Sequence, residues 1–405
     1  MLRRFIAILI AILLHQGLSA KLVSEQDAKS VAINFILQRS ERFQVDAFHE
    51  RKISSTITLK VEQHPIYYVF TFDQGGYIIV SADDLVIPVL AYSFDGIYTE
   101  ENQAPQFSAW MEQYQRQILY AIRSNAVPDD KVEAEWNRLR NGESKQPSAA
   151  EKAAVEPLIT SKWNQDNPYN GMCPADPTGP GGHAYAGCVP TCMGQIMYYY
   201  RWPETGKGSY TYTDATYGVQ HVSYDSTTYE WENMKNAVTK ENHGIAQLLY
   251  HLGVSCDLVY GPGGSGMYNH KTAYSLRTYF KYSPETRYIF RDSTSLNWDS
   301  LIIAHLNRKM PLYYAGWSVP NINGHAFVCD GYQGTDYFHF NFGWSGSFDG
   351  YFYINTLTPG GNNFNLAQDL VINIYPDTLH YSSPKPCNGL TTLHNTEGSI
   401  ADGSG

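Results

Sequence analysis

From Gly187 to Tyr200 the apolar and bulky positions fall at 189, 192, 193, 196, 197 and 200, the three-then-four spacing of a buried helical face. Pro190 suits the first turn of such a helix, where a missing N–H costs nothing, so the pattern predicts a helix that opens at Cys188. Ala28, Val31, Ala32, Phe35 and Ile36 form a second helical stripe, and Phe107 to Ile122 a third. Tyr67 to Phe72 and Tyr77 to Val80 flank Asp73-Gln74-Gly75-Gly76 and predict a hairpin, which Val86 to Tyr92 extends into a sheet. Toward the C-terminus Pro311 to Gly316, Gly324 to Gly331, Tyr337 to Gly346 and Gly350 to Asn355 read as aromatic-rich strands bounded by Gly or Asp. They predict an antiparallel sheet or barrel.

The pattern changes at three places. Arg3-Arg4, the apolar run Phe5 to Leu14 and Gly17-Leu18-Ser19-Ala20 have the parts of a secretory signal peptide over residues 1–20, and the run is too short to span a membrane. No second apolar stretch is long enough, so no membrane span is expected after processing. Asn141 to Ala154 holds small, charged and turn-forming residues without a bulky apolar one, the composition of a linker and an accessible cleavage site. It separates an α+β unit (21–150) from a second domain (151–378). Residues 379–405 are polar, carry Cys387 and end in flexible residues, and are expected to lead into a further module.

Composition narrows the function. Tyr is abundant (32), charged residues are few (17%) and the formal net charge is −10. That balance excludes nucleic acid as the expected partner, because neutralising phosphates takes a surplus of Lys and Arg. Six cysteines, at 173, 188, 192, 256, 329 and 387, are too sparse for a disulfide framework in a chain of this length.

The chemical candidates all follow the linker. A thiol at a helix N-terminus meets unpaired N–H groups and the positive end of the macrodipole, which favour the thiolate. Cys188 is therefore the candidate nucleophile for attack on a carbonyl carbon. His325 follows a glycine at the start of a strand, where an imidazole can project into a cleft, and Asn341 lies one strand later, able to accept from the other ring nitrogen. Gln165 offers a side-chain amide of the kind that stabilises an oxyanion. Bland readings stand beside these. Cys188 could be a core thiol or half a disulfide, Gln165 a solvated loop residue, and Cys192 a rival nucleophile, although it lies a turn inside the helix on the apolar face. His325, Cys329 and His339 could hold zinc, but the usual C-x-x-C and H-x-x-x-H spacings are missing. Gly261 to Tyr268 lacks the Gly-Lys-Ser/Thr that ends a phosphate loop.

The motifs resemble the streptopain family of secreted bacterial cysteine peptidases. Gly187-Cys188-Val189-x-Thr191 with Gln195 to Tyr198, Gly324 to Val328 with Asp330-Gly331, and His339-x-Asn341-x-Gly343-Trp344-x-Gly346 with Asp349-Gly350 carry the likeness. Gly76 to Asp84 with Pro88 to Ser93 resembles the family's inhibitory propeptide, Asn164 to Asn170 the start of its catalytic domain, and Asp257 to Gly266 its substrate-side loop. Matches run from residue 28 to about 376. The resemblance implies a papain-like two-lobed α+β fold preceded by an α+β propeptide with an antiparallel sheet. It implies Cys188 as nucleophile, His325 as general base and then acid, Asn341 as orienter, and Gln165 with the Cys188 backbone N–H as oxyanion hole. Ser265, Gly266, Gly324 and Trp344 would border the substrate. Protein or peptide substrates and the chain's own propeptide are the implied partners, with no cofactor or metal.

The sequence departs from the family pattern at Phe342, where a Trp is usual, and at Pro190 and Cys192, where alanine-like residues are usual. Three readings follow: a secreted endopeptidase zymogen matured by removal of its propeptide; a papain-like thiol amidase such as a peptidoglycan hydrolase; and a binding protein with Cys188 in a disulfide.

Overall fold

A computed structural model describes residues 22–45, 48–317, 324–357 and 368–381. The expected signal peptide and the C-terminal segment with Cys387 lie outside the described residues. The chain opens with helix α1 (Glu25–Arg42), which Ser24 caps by accepting from the Asp27 N–H. Strands β1 (Ile53–Val61), β2 (His64–Phe72), β3 (Tyr77–Ser81) and β4 (Val89–Ser93) follow. Then come helices α2 (Pro105–Arg123), α3 (Asp130–Arg140) and the short α4 (Ala149–Lys152), and strand β5 (Ala154–Val155). Helix α5 (Cys188–Tyr200), hairpin β6 (Ser209–Asp214) and β7 (Gly218–Ser223), and helices α6 (His243–Ser255) and α7 (Lys271–Tyr279) come next. The chain closes with β8 (Arg287–Phe290), α8 (Trp298–Asn307), β9 (Leu312–Trp317), β10 (Gly324–Gln333), β11 (Tyr337–Asn341), β12 (Gly350–Tyr353) and β13 (Gln368–Ile372).

The sheets are antiparallel in an α+β chain. The expected hairpin forms at 73–76, where Gly76 has φ +94° and a Cβ would meet the carbonyl oxygens of Phe94 and Ser93 at 2.8 Å. Only glycine fits such a turn without strain. Two compact units divide the contacts, residues up to 165 with 288–372, and 166–287 with 373 onward.

In the first unit the larger sheet runs β1-β2-β3-β4-β12-β11-β10-β9-β13-β8, with β5 on β10. The strands before the linker thus continue into those after it. At the seam Tyr351 pairs with Tyr92 and Phe352 with Ala91, and the rings of Tyr92 and Tyr351 stack at 5.3 Å. A buried cluster built from α1, β2, β3, β4 and α3 takes in Tyr337 and Tyr351 from the far side of the linker. Helix α2 buries Phe107, Trp110, Met111, Tyr114 and Ile118, residues three and four apart. Trp110 lies edge-on to Phe340 at 5.1 Å and Phe327 at 6.0 Å, and the Tyr114 hydroxyl donates to the Tyr353 carbonyl at 2.6 Å. Linker residues 141–146 are exposed, and a Ser148–Glu151 capping box opens α4.

In the second unit α5 is buried on nearly every side, as befits a central helix, and it packs on α6. The Tyr198 hydroxyl donates to the Met234 carbonyl at 3.2 Å.

Candidate active site

Cys188 is the first residue of α5, as the apolar spacing predicts. Gly187 before it has φ +87°, and a Cβ there would stand 3.0 Å from the Ser265 carbonyl oxygen, so both the conformation and the space call for glycine. The Thr191 N–H and hydroxyl both donate to the Gly187 carbonyl, at 3.2 and 2.9 Å, and set the first turn. Ser265 donates its hydroxyl to the Tyr185 carbonyl at 2.7 Å and accepts from the Gly261 N–H at 3.0 Å. The Tyr185 N–H in turn donates to the Gly261 carbonyl at 3.1 Å. The predicted substrate loop is thereby fastened to the segment that delivers Cys188, with Ser265 beside Gly187 and Gly266 next along the loop, paired with Val259.

None of the described cysteines is in a disulfide. They are not chemically equivalent. Burial pushes the Cys173 thiol up to about 12 and Cys256 to about 11, and holds Cys329 well above its ordinary value. These sulfurs stay protonated and inert at neutral pH.

His325 and Asn341 belong to the other unit. His325 is the second residue of β10, opposite Gly316 of β9, with Gly324 opposite Trp317. Burial lowers its pKa to about 4, so the imidazole is neutral at physiological pH. Asn341 ends β11 opposite Val328, three residues along β10 from His325. Its side-chain amide donates to the Ser161 carbonyl at 3.0 Å and its oxygen accepts from the Gly343 N–H at 3.0 Å, which fixes the strand end and the amide's own orientation.

The Ser161–Gln165 segment lies along the turn that follows Asn341. Ser345 N–H donates to the Trp163 carbonyl at 3.1 Å, and the Asn164 amide donates to the Ser345 hydroxyl at 3.1 Å. Gln165 is brought in this way to the turn carrying Asn341 and Trp344. Its Nε2 is buried and has no hydrogen-bond partner. A buried donor left unpaired costs about 1–3 kcal/mol, and such groups in native proteins call for an explanation.

Sequence reasoning missed the supports behind this strand end. Asp349 accepts from the Phe342 N–H at 3.0 Å, and burial pushes its carboxyl up to about 7, partly opposed by His339. His339 lies 2.6 Å from Asp330, whose other oxygen accepts from the Ile159 N–H at 2.8 Å. Burial works against a charge on His339, but the Asp330 carboxylate outweighs it and raises the pKa. Asp330, His339 and Asp349 all stand in the quoted motifs; the signal was present, but not their mutual contact. Phe342 packs among Phe327 (5.2 Å), Phe352 (5.3 Å) and Phe107 (5.9 Å). Among the described residues no group of three or more His, Cys, Asp or Glu is placed to hold a metal ion.

The segment before the linker grips the same turn. The Phe348 N–H donates to the Ile97 carbonyl at 2.9 Å, the Tyr77 hydroxyl donates to the Phe348 carbonyl at 2.6 Å, and Phe107 stacks on Phe348 at 4.5 Å. The first unit thus carries a neutral histidine and a fixed asparagine on strands, with the N-terminal region seated on the turn that follows them, and the second unit carries a thiol at a helix start.

Comparison with known proteins gives the family. Residues 163–352 match the Peptidase C10 family and residues 20–118 match the Spi protease inhibitor. Streptopain of Streptococcus pyogenes is 30% identical over 385 residues, covering 87% of this chain and 92% of streptopain. The thiol protease/hemagglutinin PrtT of Porphyromonas gingivalis is 31% identical over 385 residues, and this chain spans 42% of its length. A prointerpain A fragment of Prevotella intermedia superposes with a TM-score of 0.63 at 31% identity, covering 79% of this chain and 98% of the fragment. The chain belongs to the Peptidase C10 family, with the papain-like α+β fold, and is a cysteine protease zymogen whose N-terminal region is its intramolecular inhibitor. Peptides are its substrates. No described helix is long and apolar enough to cross a membrane.

Proposed function

We propose that the chain is an exported endopeptidase precursor in which Cys188 is the nucleophile, His325 the general base and then acid, and Asn341 the group that orients the imidazole. The observation that carries this reading is the seating of Cys188: first residue of a buried helix, outside any disulfide, while burial keeps Cys173, Cys256 and Cys329 protonated. The thiolate attacks the scissile carbonyl carbon, and the negative charge passes to its oxygen. The Gln165 amide and the Cys188 backbone N–H receive that charge, and the unpartnered Nε2 of Gln165 supports this role. The C–N bond then breaks as the imidazolium of His325 gives its proton to the leaving amine. Water, with His325 as base, hydrolyses the thioester and restores the thiol. Ser265, Gly266, Gly324 and Trp344 border the peptide.

In the precursor, burial keeps His325 neutral, which disfavours the thiolate–imidazolium pair, and the 21–150 region grips the turn after Asn341. Cleavage within 141–154 begins release. The basic, apolar and small residues of 1–20 support export. The test is casein hydrolysis and self-processing by Cys188→Ala and Cys192→Ala chains in reductant. Loss of both activities in Cys188→Ala with retention in Cys192→Ala is expected; the reverse pattern reassigns the nucleophile.

A further inference from the structure

A cavity of about 810 Å³ opens in the first unit, between α1, α3, the linker and the tip of the β10–β11 hairpin, within the size range of small-ligand sites. Its charges are unevenly matched. Glu135 is held by Arg138 at 2.6 and 2.8 Å, and Glu151 by Lys145 at 2.9 Å. Asp129 caps α3 by accepting from the Lys131 N–H at 2.7 Å, and Asp336 is exposed at the hairpin turn. Arg39 and Arg42, one turn apart on α1, form no ion pair among the described residues.

Arg39 is 92% buried, at 8% exposure. Its guanidinium sits over the rings of Tyr337 at 4.8 Å and Phe35 at 5.0 Å, and its Nη1 has no hydrogen-bond partner. The aromatic faces hold the cation without using its in-plane donors. Burial lowers the Arg42 pKa, and the neighbouring Arg39 and Arg138 lower it further while Glu151 opposes them. Like charges crowded in a partly desolvated space, with a buried donor to spare, mark an electropositive pocket.

We propose that this cavity is a binding site for a small oxyanion of the phosphate type, held by Arg42, the Arg39 guanidinium and Lys145, which turns to the anion from Glu151 while Glu151 keeps its capping bonds to Ser148. Guanidinium forks match tetrahedral oxyanions in geometry and charge. Arg39 and Arg42 lie on α1, whereas Lys145 lies in the linker and Gly334 to Tyr337 on the hairpin past it. A bound anion therefore ties the linker to the inhibitory region. The consequence for maturation, a slower cut within 141–154, rests on the proposed zymogen reading; the binding does not.

The test uses the full-length Cys188→Ala chain, which separates binding from the protein's own activity. Inorganic phosphate is titrated against chloride at matched ionic strength and followed by ³¹P line broadening. Saturable binding with Kd on the order of 1 mM or tighter, weakened at least about tenfold by Arg42→Gln and by Lys145→Gln, is expected. Broadening that rises linearly with phosphate, or is the same in both variants, overturns the site. Added trypsin then cuts after Lys152, a linker position common to the parent and Arg42→Gln chains. Saturating phosphate is expected to slow that cut several-fold in the parent only. An equal rate with and without bound phosphate overturns the tie to maturation.

Discussion

Phe107 is where the inhibitory region meets the turn that follows Asn341, so Phe107→Ala should loosen latency without touching a proposed catalytic group. Its ring is fully buried. It stacks on Phe348 at 4.5 Å with 19° between planes, and lies edge-on to Phe342 at 5.9 Å, Phe352 at 6.1 Å and Tyr98 at 5.8 Å. Removing a buried phenyl ring costs about 3–5 kcal/mol. Tyr98 belongs to the inhibitory region itself, so part of the loss falls inside that region. Assigning about two thirds to the docked contacts leaves roughly 2–3 kcal/mol, or about 30- to 150-fold in the balance between docked and undocked forms. The assay is the lag before peptide hydrolysis when the purified full-length chain is placed in reductant. Self-processing on gels provides a parallel record, and a Cys188→Ala version of the same chain checks folding by its urea midpoint. A lag and pre-processing activity within about twofold of the parent, in a chain that still unfolds cooperatively in urea at a lowered midpoint, would refute the argument that α2 restrains this turn.

Other outcomes follow from the same contacts. Gln165→Ala should lower turnover by roughly 10²–10³ while leaving the thermal midpoint of the Cys188→Ala zymogen unchanged or raised, since the amide removed is an unpaired buried donor; unchanged turnover would remove it from the oxyanion hole. His325 has a folded pKa lowered from 6.5 to about 4, so the unfolded chain binds the proton first and this contribution to stability is lost as pH falls from about 6.5 to 4. His251 is lowered to the same value, so urea midpoints of Cys188→Ala chains with and without His325→Gln, measured across that window, isolate the effect as a shallower acid decline. Asp349 runs the other way. Its pKa is raised from 3.8 to about 7, so stability present below pH 3.8 is lost as pH rises to about 7, and Asp349→Asn should flatten that decline in the same midpoint series.

The sequence was legible where chemistry and periodicity coincide. Cys188 opens α5 as its apolar spacing requires, and the strands that carry His325 and Asn341 form between their glycine and aspartate boundaries. The strand expected from Val86 begins at Val89, directly after Pro88, which has no N–H to donate to a ladder. β1 went unread because its alternation is confined to Ile57, Leu59 and Val61, after the exposed Ser54, Ser55 and Thr56. α3 went unread because its buried face is only Val132, Trp136 and Leu139 among charged residues. The support around the site was beyond reach for a different reason. Asn341 is fixed by a backbone carbonyl at Ser161, and a carbonyl has no sequence signature. Gln165 was visible only as a lone loop glutamine; its burial beside the Asn341 turn depends on contacts between Trp163, Asn164 and Ser345, far apart along the chain.

The pairing of β4 with β12 bears on how the precursor is switched on. Main-chain bonds at Tyr351 and Phe352, with the aromatic contacts above them, hold the inhibitor without help from the linker. A single cut near residue 145 therefore leaves the inhibitor seated, as a nicked complex, and dissociation or further digestion of the severed piece has to follow. Its departure also uncovers a short row of strand amides and carbonyls on β12, open to any extended segment that comes near. The freed enzyme thus carries a small place for recapture, and the first candidate to occupy it is the fragment that has just left.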